Sequence, residues 1–75
     1  MDERWVRIPI LELGCPADTG RLERRLAGQP GVVEVAVNPA TEAAYIRFDP
    51  RATTPARLRT AVEAQGYRTA DPVAG

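Results

Sequence analysis

The sequence contains no histidine and only one cysteine, Cys15. A single cysteine excludes an internal disulfide, which fits a reducing compartment. The lack of histidine removes the most frequent general base and the most frequent nitrogen ligand for metals. No glycine-rich phosphate loop precedes a predicted helix, and no second cysteine is present for thiol–disulfide exchange. We therefore predict that the chain is not an enzyme.

An excess of charge of either sign is also lacking. Ten basic residues balance ten acidic residues, so nothing in the charge favours a nucleic-acid partner or a membrane surface. The apolar run after the charged N-terminus is brief, which predicts neither a signal peptide nor a helix inserted into a membrane. The expected location is the cytoplasm, either as a free protein or as the cytosolic domain of a membrane protein. With 75 residues, the chain is one small domain that cannot enclose a deep substrate cavity.

Apolar periodicity and proline positions predict the secondary structure. The predicted elements are a strand at 6–13, a helix at 16–27, strands at 33–37 and 44–48, a helix from 55 to about 65, and a short strand at 67–69. Pro9 cannot donate a hydrogen bond to a neighbouring strand, so we expect incomplete pairing around it. The order βαββαβ predicts an α+β, ferredoxin-like domain at residues 1–69: a four-stranded antiparallel sheet with both helices on one face. Residues 70–75 are predicted to be a linker or flexible tail.

The turn between the first strand and the first helix contains the only thiol. Pro16 suits the first helical position, which makes Cys15 the N-cap residue. The free backbone N–H groups and the positive end of the helix dipole favour the thiolate, which is the form that binds metals. Asp18 follows in the first helical turn, where a carboxylate stabilises a helix by about 0.3–1 kcal/mol. Asp18 is therefore either a helix-capping residue or a ligand beside Cys15.

The sequence around this turn resembles that of heavy-metal-associated domains. With the first helices aligned, Cys15 falls on the first cysteine of the family's Gly-Met-x-Cys-x-x-Cys loop and Asp18 on the second. The resemblance covers residues 6–69 and includes Gly66 and Tyr67, which are similar to the family's closing Gly-Tyr beside the metal loop. It implies a carrier or sensor of soft metals, either a free-standing chaperone or the cytosolic appendage of a metal-transporting ATPase. The implied partners are a metal ion and another metal-binding domain or such an ATPase.

Asp18 departs from the family pattern, in which a second thiolate occupies this position. Carboxylate oxygen is a poor ligand for Cu(I) and a reasonable one for Zn(II). Three alternatives follow: Cys15 and Asp18 hold a borderline divalent ion, two copies of Cys15 in a homodimer bridge one metal, or metal binding has been lost. We expect a weakened site for copper or zinc, with Cys15 and Asp18 as its ligands.

A second hypothesis is a ferredoxin-like interaction or regulatory domain that binds no metal. Two surfaces are candidates for its partner. One is the helix face with Arg21, Arg24 and Arg25. The other is the sheet face away from the helices, which we predict to be more apolar than solubility requires. The residues predicted on that face are Trp5, Arg7, Pro9, Leu11, Tyr45 and Arg47.

Overall fold

A computed structural model of the protein describes residues 2–11 and 16–74, and in the first helix it describes side chains from residue 19 onward. The elements in chain order are β1 (Arg4–Leu11), α1 (Pro16–Ala27), β2 (Val32–Asn38), β3 (Ala43–Phe48), α2 (Pro55–Glu63), β4 (Arg68–Thr69) and β5 (Val73–Ala74). The predicted βαββαβ order is confirmed, with β5 added after it. β1 begins two residues earlier than predicted because Arg4 and Trp5 pair with the end of β3.

The strands form one antiparallel sheet in the order β2-β3-β1-β4. β1 pairs with β3 along one edge, and both β4 and β5 pair with its other edge. Between β4 and β5 the register shifts by one residue, and this interruption lies beside Pro9. The Pro9 carbonyl accepts a hydrogen bond from Ala70 N–H at 3.0 Å. Incomplete pairing around Pro9, expected from its missing N–H group, therefore occurs on this side of β1.

The segment after β4 contributes to the sheet, although the sequence predicted a linker there. Val73 and Ala74 pair with Arg7 and Val6 of β1. Secondary structure therefore continues past residue 69, where we predicted the domain to end. A strand of two residues is too short to show any periodicity, and the preceding Pro72 favours a break in the strand, so the pairing was not predicted.

Both helices pack on one face of the sheet and enclose the core. Alternate residues of β1 and β3 point towards the helices, and each helix contributes apolar residues four positions apart. The buried apolar residues are Val6, Ile8, Ile10, Leu22, Leu26, Val37, Ala43, Ala44, Ile46, Phe48, Leu58 and Val62. Leu22 and Leu26 of α1 and Leu58 and Val62 of α2 thus form the inward faces of the two helices. No helix within the described ranges has the length and apolar character needed to cross a membrane.

α2 begins and ends at residues suited to each role. Thr54 is its N-cap, and the Thr54 hydroxyl oxygen accepts a hydrogen bond from Arg57 N–H at 3.2 Å, while Pro55 takes the first helical position. The helix ends at Glu63, two residues before the predicted end, because the chain tightens into a turn after it. In this turn Gly66 N–H donates to Glu63 O at 2.9 Å, and Gly66 has a φ of +94°, which a residue with a Cβ rarely adopts.

Candidate functional site

The two predicted metal ligands are close in sequence to the start of α1. The helix begins at Pro16, as predicted from the sequence, and Cys15 is the residue that precedes it in the chain. Cys15 lies outside the described residues. Asp18 is the third residue of α1, and its side chain also lies outside the described part. The roles of Cys15 as N-cap and of both residues as metal ligands therefore stay predictions.

Side chains further along α1 fix the position of this helix on the sheet. Leu22 and Leu26 are buried against the sheet, at 1% and 0% exposure. Glu23 adds a polar contact, because its carboxylate accepts a hydrogen bond from Val37 N–H of β2 at 2.8 Å. α1 is therefore held on the sheet by both apolar packing and a hydrogen bond. These contacts fix the start of the helix at one end of the domain.

The turn between α2 and β4 lies at the same end of the sheet as the start of α1. β4 pairs with the last residues of β1, with Arg68 opposite Leu11, so Tyr67 lies where the chain leaves β1 for α1. Tyr67 is half-buried and packs against the core. The positions of Gly66 and Tyr67 fit the resemblance, which implies a Gly-Tyr pair beside the metal loop.

A polar network joins the two ends of this turn. The Thr69 hydroxyl accepts a hydrogen bond from Arg59 Nε at 2.8 Å and donates one to Glu63 Oε2 at 3.1 Å. Arg59 also donates to Asp71 Oδ1 at 3.0 Å. Because Glu63 precedes the turn and Thr69 follows it, this network holds Gly66 and Tyr67 in place. The sequence did not reveal the network, since its members become neighbours only when β4 pairs beside α2.

A cavity of about 370 Å³ lies between α1 and the α2–β4 turn, and we call it the arginine cavity. Its lining residues are Arg21, Leu22, Arg25, Gln65, Gly66 and Tyr67. Most of its wall is polar, and two of the three arginines predicted on the outer face of α1 line it. Arg24 is not among the lining residues. The spacing of four between Arg21 and Arg25 was a signal in the sequence for a shared cationic surface.

The described residues add no second candidate metal site. Among the described side chains, which lie at 2–11 and 19–74, no three carboxylate or thiol groups come together in a way that could hold an ion.

The sheet face away from the helices is exposed and partly apolar, as predicted. Trp5 and Leu11 are 41% and 45% exposed, and Val73 of β5, which was not predicted there, is 42% exposed. Arg47 lies over the Trp5 ring, with its guanidinium carbon 5.7 Å from the ring centre. Its guanidinium also pairs with Glu34 at 2.9 Å. This open face therefore combines apolar side chains with an arginine that already has a partner.

Comparison with known proteins gives the chain a family context. The family model of the heavy-metal-associated domain matches residues 10–68. A probable copper-transporting ATPase PacS of Synechococcus elongatus is 42% identical over 55 residues, which are 73% of this chain and 7% of that protein. A copper-exporting P-type ATPase of Bacillus subtilis is 30% identical over 66 residues, which are 88% of this chain and 8% of that protein. The chain thus spans only a small part of the length of these two relatives.

A solved structure supports the same relationship. The N-terminal domain of a potential copper-translocating P-type ATPase from Bacillus subtilis, in its Cu(I)-loaded state, superposes with a TM-score of 0.83. The two sequences are 28% identical, and the match covers 91% of this chain and 85% of the other. The elements that position the candidate site therefore have the same arrangement as those of a domain that was solved with copper.

Proposed function

The chain belongs to the heavy-metal-associated domain family, and on that premise we propose that it binds a soft or borderline metal ion of the copper or zinc class in metal trafficking. The observation that carries this proposal is the match of the family model across residues 10–68. Two copper-transporting relatives point to the same metal class. Because those relatives are far longer than this chain, the proposal concerns the binding and transfer of the ion.

Cys15 is the proposed thiolate ligand. The start of α1 at Pro16 supports it, because the free N–H groups of a first helical turn and the helix dipole stabilise an adjacent anion. Asp18 is the proposed second ligand, in place of the thiolate found in the family. Cu(I) prefers two soft ligands, whereas Zn(II) accepts sulfur and oxygen together. We therefore expect weaker Cu(I) binding than a two-cysteine site provides.

The proposed partner is another metal-binding domain or a metal-transporting ATPase on the cytosolic side of a membrane. The ion would move between them by exchange of ligands, one thiolate replacing another. A homodimer in which two copies of Cys15 share one ion is the alternative assembly. The two assemblies differ in stoichiometry, with one ion for each chain in the first and one ion for two chains in the second.

Titration of Cu(I) against a chromophoric competitor tests the proposal. We expect Cys15→Ala to weaken Cu(I) binding by about 100-fold, because it removes the only soft donor of the site. Asp18→Asn should change Cu(I) binding by less than about threefold and weaken Zn(II) binding by about tenfold, since a carboxylate suits the harder ion. The matched control is Thr54→Ala, which changes the corresponding residue of α2 and should leave both affinities unchanged.

Equal binding by the wild type and Cys15→Ala would exclude a metal role for this thiol. That outcome would favour the second candidate function, an interaction domain without metal. The exposed Trp5, Leu11 and Val73 on the open face support that candidate. Sedimentation of the metal-loaded protein separates the monomeric from the dimeric assembly.

A further inference from the structure

Another cavity lies beside the start of α2, whereas the arginine cavity lies beyond the end of that helix. Its volume is about 390 Å³, which is within the range of small-molecule pockets, and most of its wall is apolar. The start of β1, the end of β3 and the segment that forms β5 complete the wall. We call it the tryptophan cavity. The lining residues that matter below are Arg4, Trp5, Pro50, Thr53, Pro55 and Pro72.

We propose that the tryptophan cavity binds a small aromatic monocarboxylate. Arg4 and the Thr53 hydroxyl bind the carboxylate, while Trp5 and the three prolines pack against the ring. This proposal does not depend on the metal function, because it uses no residue of the segment before α1.

The apolar wall is built from side chains that have little freedom to lose. The rings of Pro50, Pro55 and Pro72 are rigid, so a ligand that packs against them restricts no rotamers. The Trp5 ring is held by Arg47, whose guanidinium carbon lies 5.7 Å from the ring centre. A wall that is already ordered lowers the entropy cost of binding, and a flat ring stacks well on an indole.

The charge of the tryptophan cavity is positive, because Arg4 is a lining residue and no lining residue is acidic. Arg4 lies opposite Phe48, the last residue of β3, and therefore beside the loop that leads to Thr53. It is exposed and forms no ion pair with any described residue, whereas Arg47 pairs with two carboxylates. A guanidinium binds a carboxylate through two parallel hydrogen bonds. One cation in a mostly apolar wall thus favours a monocarboxylate with an apolar body over a phosphate or a sugar.

The start of α2 adds two features that suit an anion. Its first turn contains no acidic residue, so the positive end of the helix dipole lacks a carboxylate there. Thr53, the residue before the N-cap, is only 7% exposed. Its methyl group faces Gly31, and its hydroxyl forms no hydrogen bond with the described residues. A buried hydroxyl without a partner is unfavourable, and a bound carboxylate would accept its hydrogen bond.

The first experiment tests which chemical groups the cavity recognises. Trp5 is the only tryptophan of the chain, so its fluorescence reports binding at this cavity. The metal-free protein is titrated with phenylacetate, with its neutral analogue phenylacetamide and with acetate. We expect phenylacetate to bind about fivefold more tightly than either of the others, because it alone has both the charge and the ring. Equal binding of phenylacetamide would show an apolar site only, equal binding of acetate an ion site only, and either result would overturn the proposal.

The second experiment tests Arg4. Arg4→Gln should weaken phenylacetate binding about fivefold and leave phenylacetamide binding unchanged. The matched control is Arg7→Gln, which removes another exposed arginine of β1 that does not line the cavity. This control should bind phenylacetate as the wild type does. An equal loss in both variants would mean that net charge alone attracts the anion, and the proposal would fail.

The third experiment tests the Thr53 hydroxyl. Thr53→Val should weaken phenylacetate binding about threefold without lowering the stability measured by urea denaturation, because the hydroxyl has no partner in the free protein. Unchanged binding of phenylacetate by this variant would overturn the assignment of the hydroxyl as a ligand contact.

A last titration separates a small molecule from the end of a partner protein. The peptide acetyl-Gly-Gly-Phe presents the same ring and carboxylate on a chain terminus. We expect it to bind within about threefold of phenylacetate, since the cavity has room only for the terminal residue. Binding more than about tenfold tighter than phenylacetate would identify a protein terminus as the occupant and would overturn the proposal of a small molecule.

Discussion

The two helices both begin with proline, but the residues that precede these prolines in the sequence differ. At α2 the cap is Thr54, and its hydroxyl accepts a hydrogen bond from the backbone at 3.2 Å. The corresponding residue before α1 is Cys15, and a thiol is a much weaker hydrogen-bond acceptor than a hydroxyl. We call the two ends of the domain the capped end, where α2 begins, and the thiol end, where α1 begins. Under the proposed function, the residue before the proline serves helix capping at the capped end and metal binding at the thiol end.

The glycines with positive φ show the same difference. At the capped end, a Cβ on Gly31 would lie 2.8 Å from the Ala52 Cβ and 3.0 Å from the Thr53 Cγ2. At the thiol end, a Cβ on Gly66 would have no described atom within 4 Å. A side chain at Gly31 would therefore overlap its neighbours, whereas one at Gly66 would meet no described atom.

The largest expected difference between the two ends comes from these glycines. Gly31→Ala should lower the free energy of unfolding by about 3 kcal/mol, because it combines an unfavourable φ of +84° with overlap against Ala52. Gly66→Ala should lower it by about 1 kcal/mol, since only the backbone strain remains. Urea denaturation measures both values. Equal losses would show that the two ends are packed alike.

A smaller difference is expected between the two cap residues. Thr54→Ala should lower the free energy of unfolding by about 1 kcal/mol, because Arg57 N–H loses its acceptor. Cys15→Ser should raise it by about 0.5 kcal/mol, since serine is a good cap, and should also weaken Cu(I) binding. Thermal unfolding and Cu(I) titration check the two effects. A loss of stability in Cys15→Ser would contradict the prediction that cysteine at this position suits metal binding better than helix capping.

The smallest expected loss of stability comes from removing exposed ion pairs. This loss should be similar in the tail after β4 and near the capped end. Asp71→Asn removes one of the two carboxylate partners of Arg59, in the tail after β4, and Glu34→Gln removes a partner of Arg47 near the capped end. Both acidic side chains are largely exposed, so each change should cost only about 0.2–0.5 kcal/mol and less at high salt. Denaturation at low and high salt measures this. A much larger loss of stability in one variant would mean that surface ion pairs contribute unequally in the tail after β4 and near the capped end.

Much of the fold could be predicted from local patterns. Alternating apolar residues predicted β1 to β3, and the two prolines at the helix starts gave both first helical residues. The end of α2 was predicted at about residue 65, and the helix gives way to a turn two residues earlier. These features depend on residues close together in the chain, whose physical preferences act locally.

The features that were missed depend on residues far apart in the chain. β5 pairs with β1 across nearly the whole sequence, and the contact between Arg59 and Thr69 exists only once β4 lies beside α2. The arginine cavity likewise needs α1 and the α2–β4 turn together. For the candidate ligands, the sequence could not decide the role of Asp18, because the same carboxylate at the start of a helix suits both capping and metal binding.

Both outer edges of the sheet are poor templates for further strands. On one side the Glu23 carboxylate accepts a hydrogen bond from Val37 N–H at the edge of β2. On the other side the one-residue offset between β4 and β5, with Pro72 between them, breaks the row of donors and acceptors. Fibril growth by edge-to-edge addition needs an unbroken row of this kind. Crowded copies of this domain should therefore resist polymerisation through their sheets.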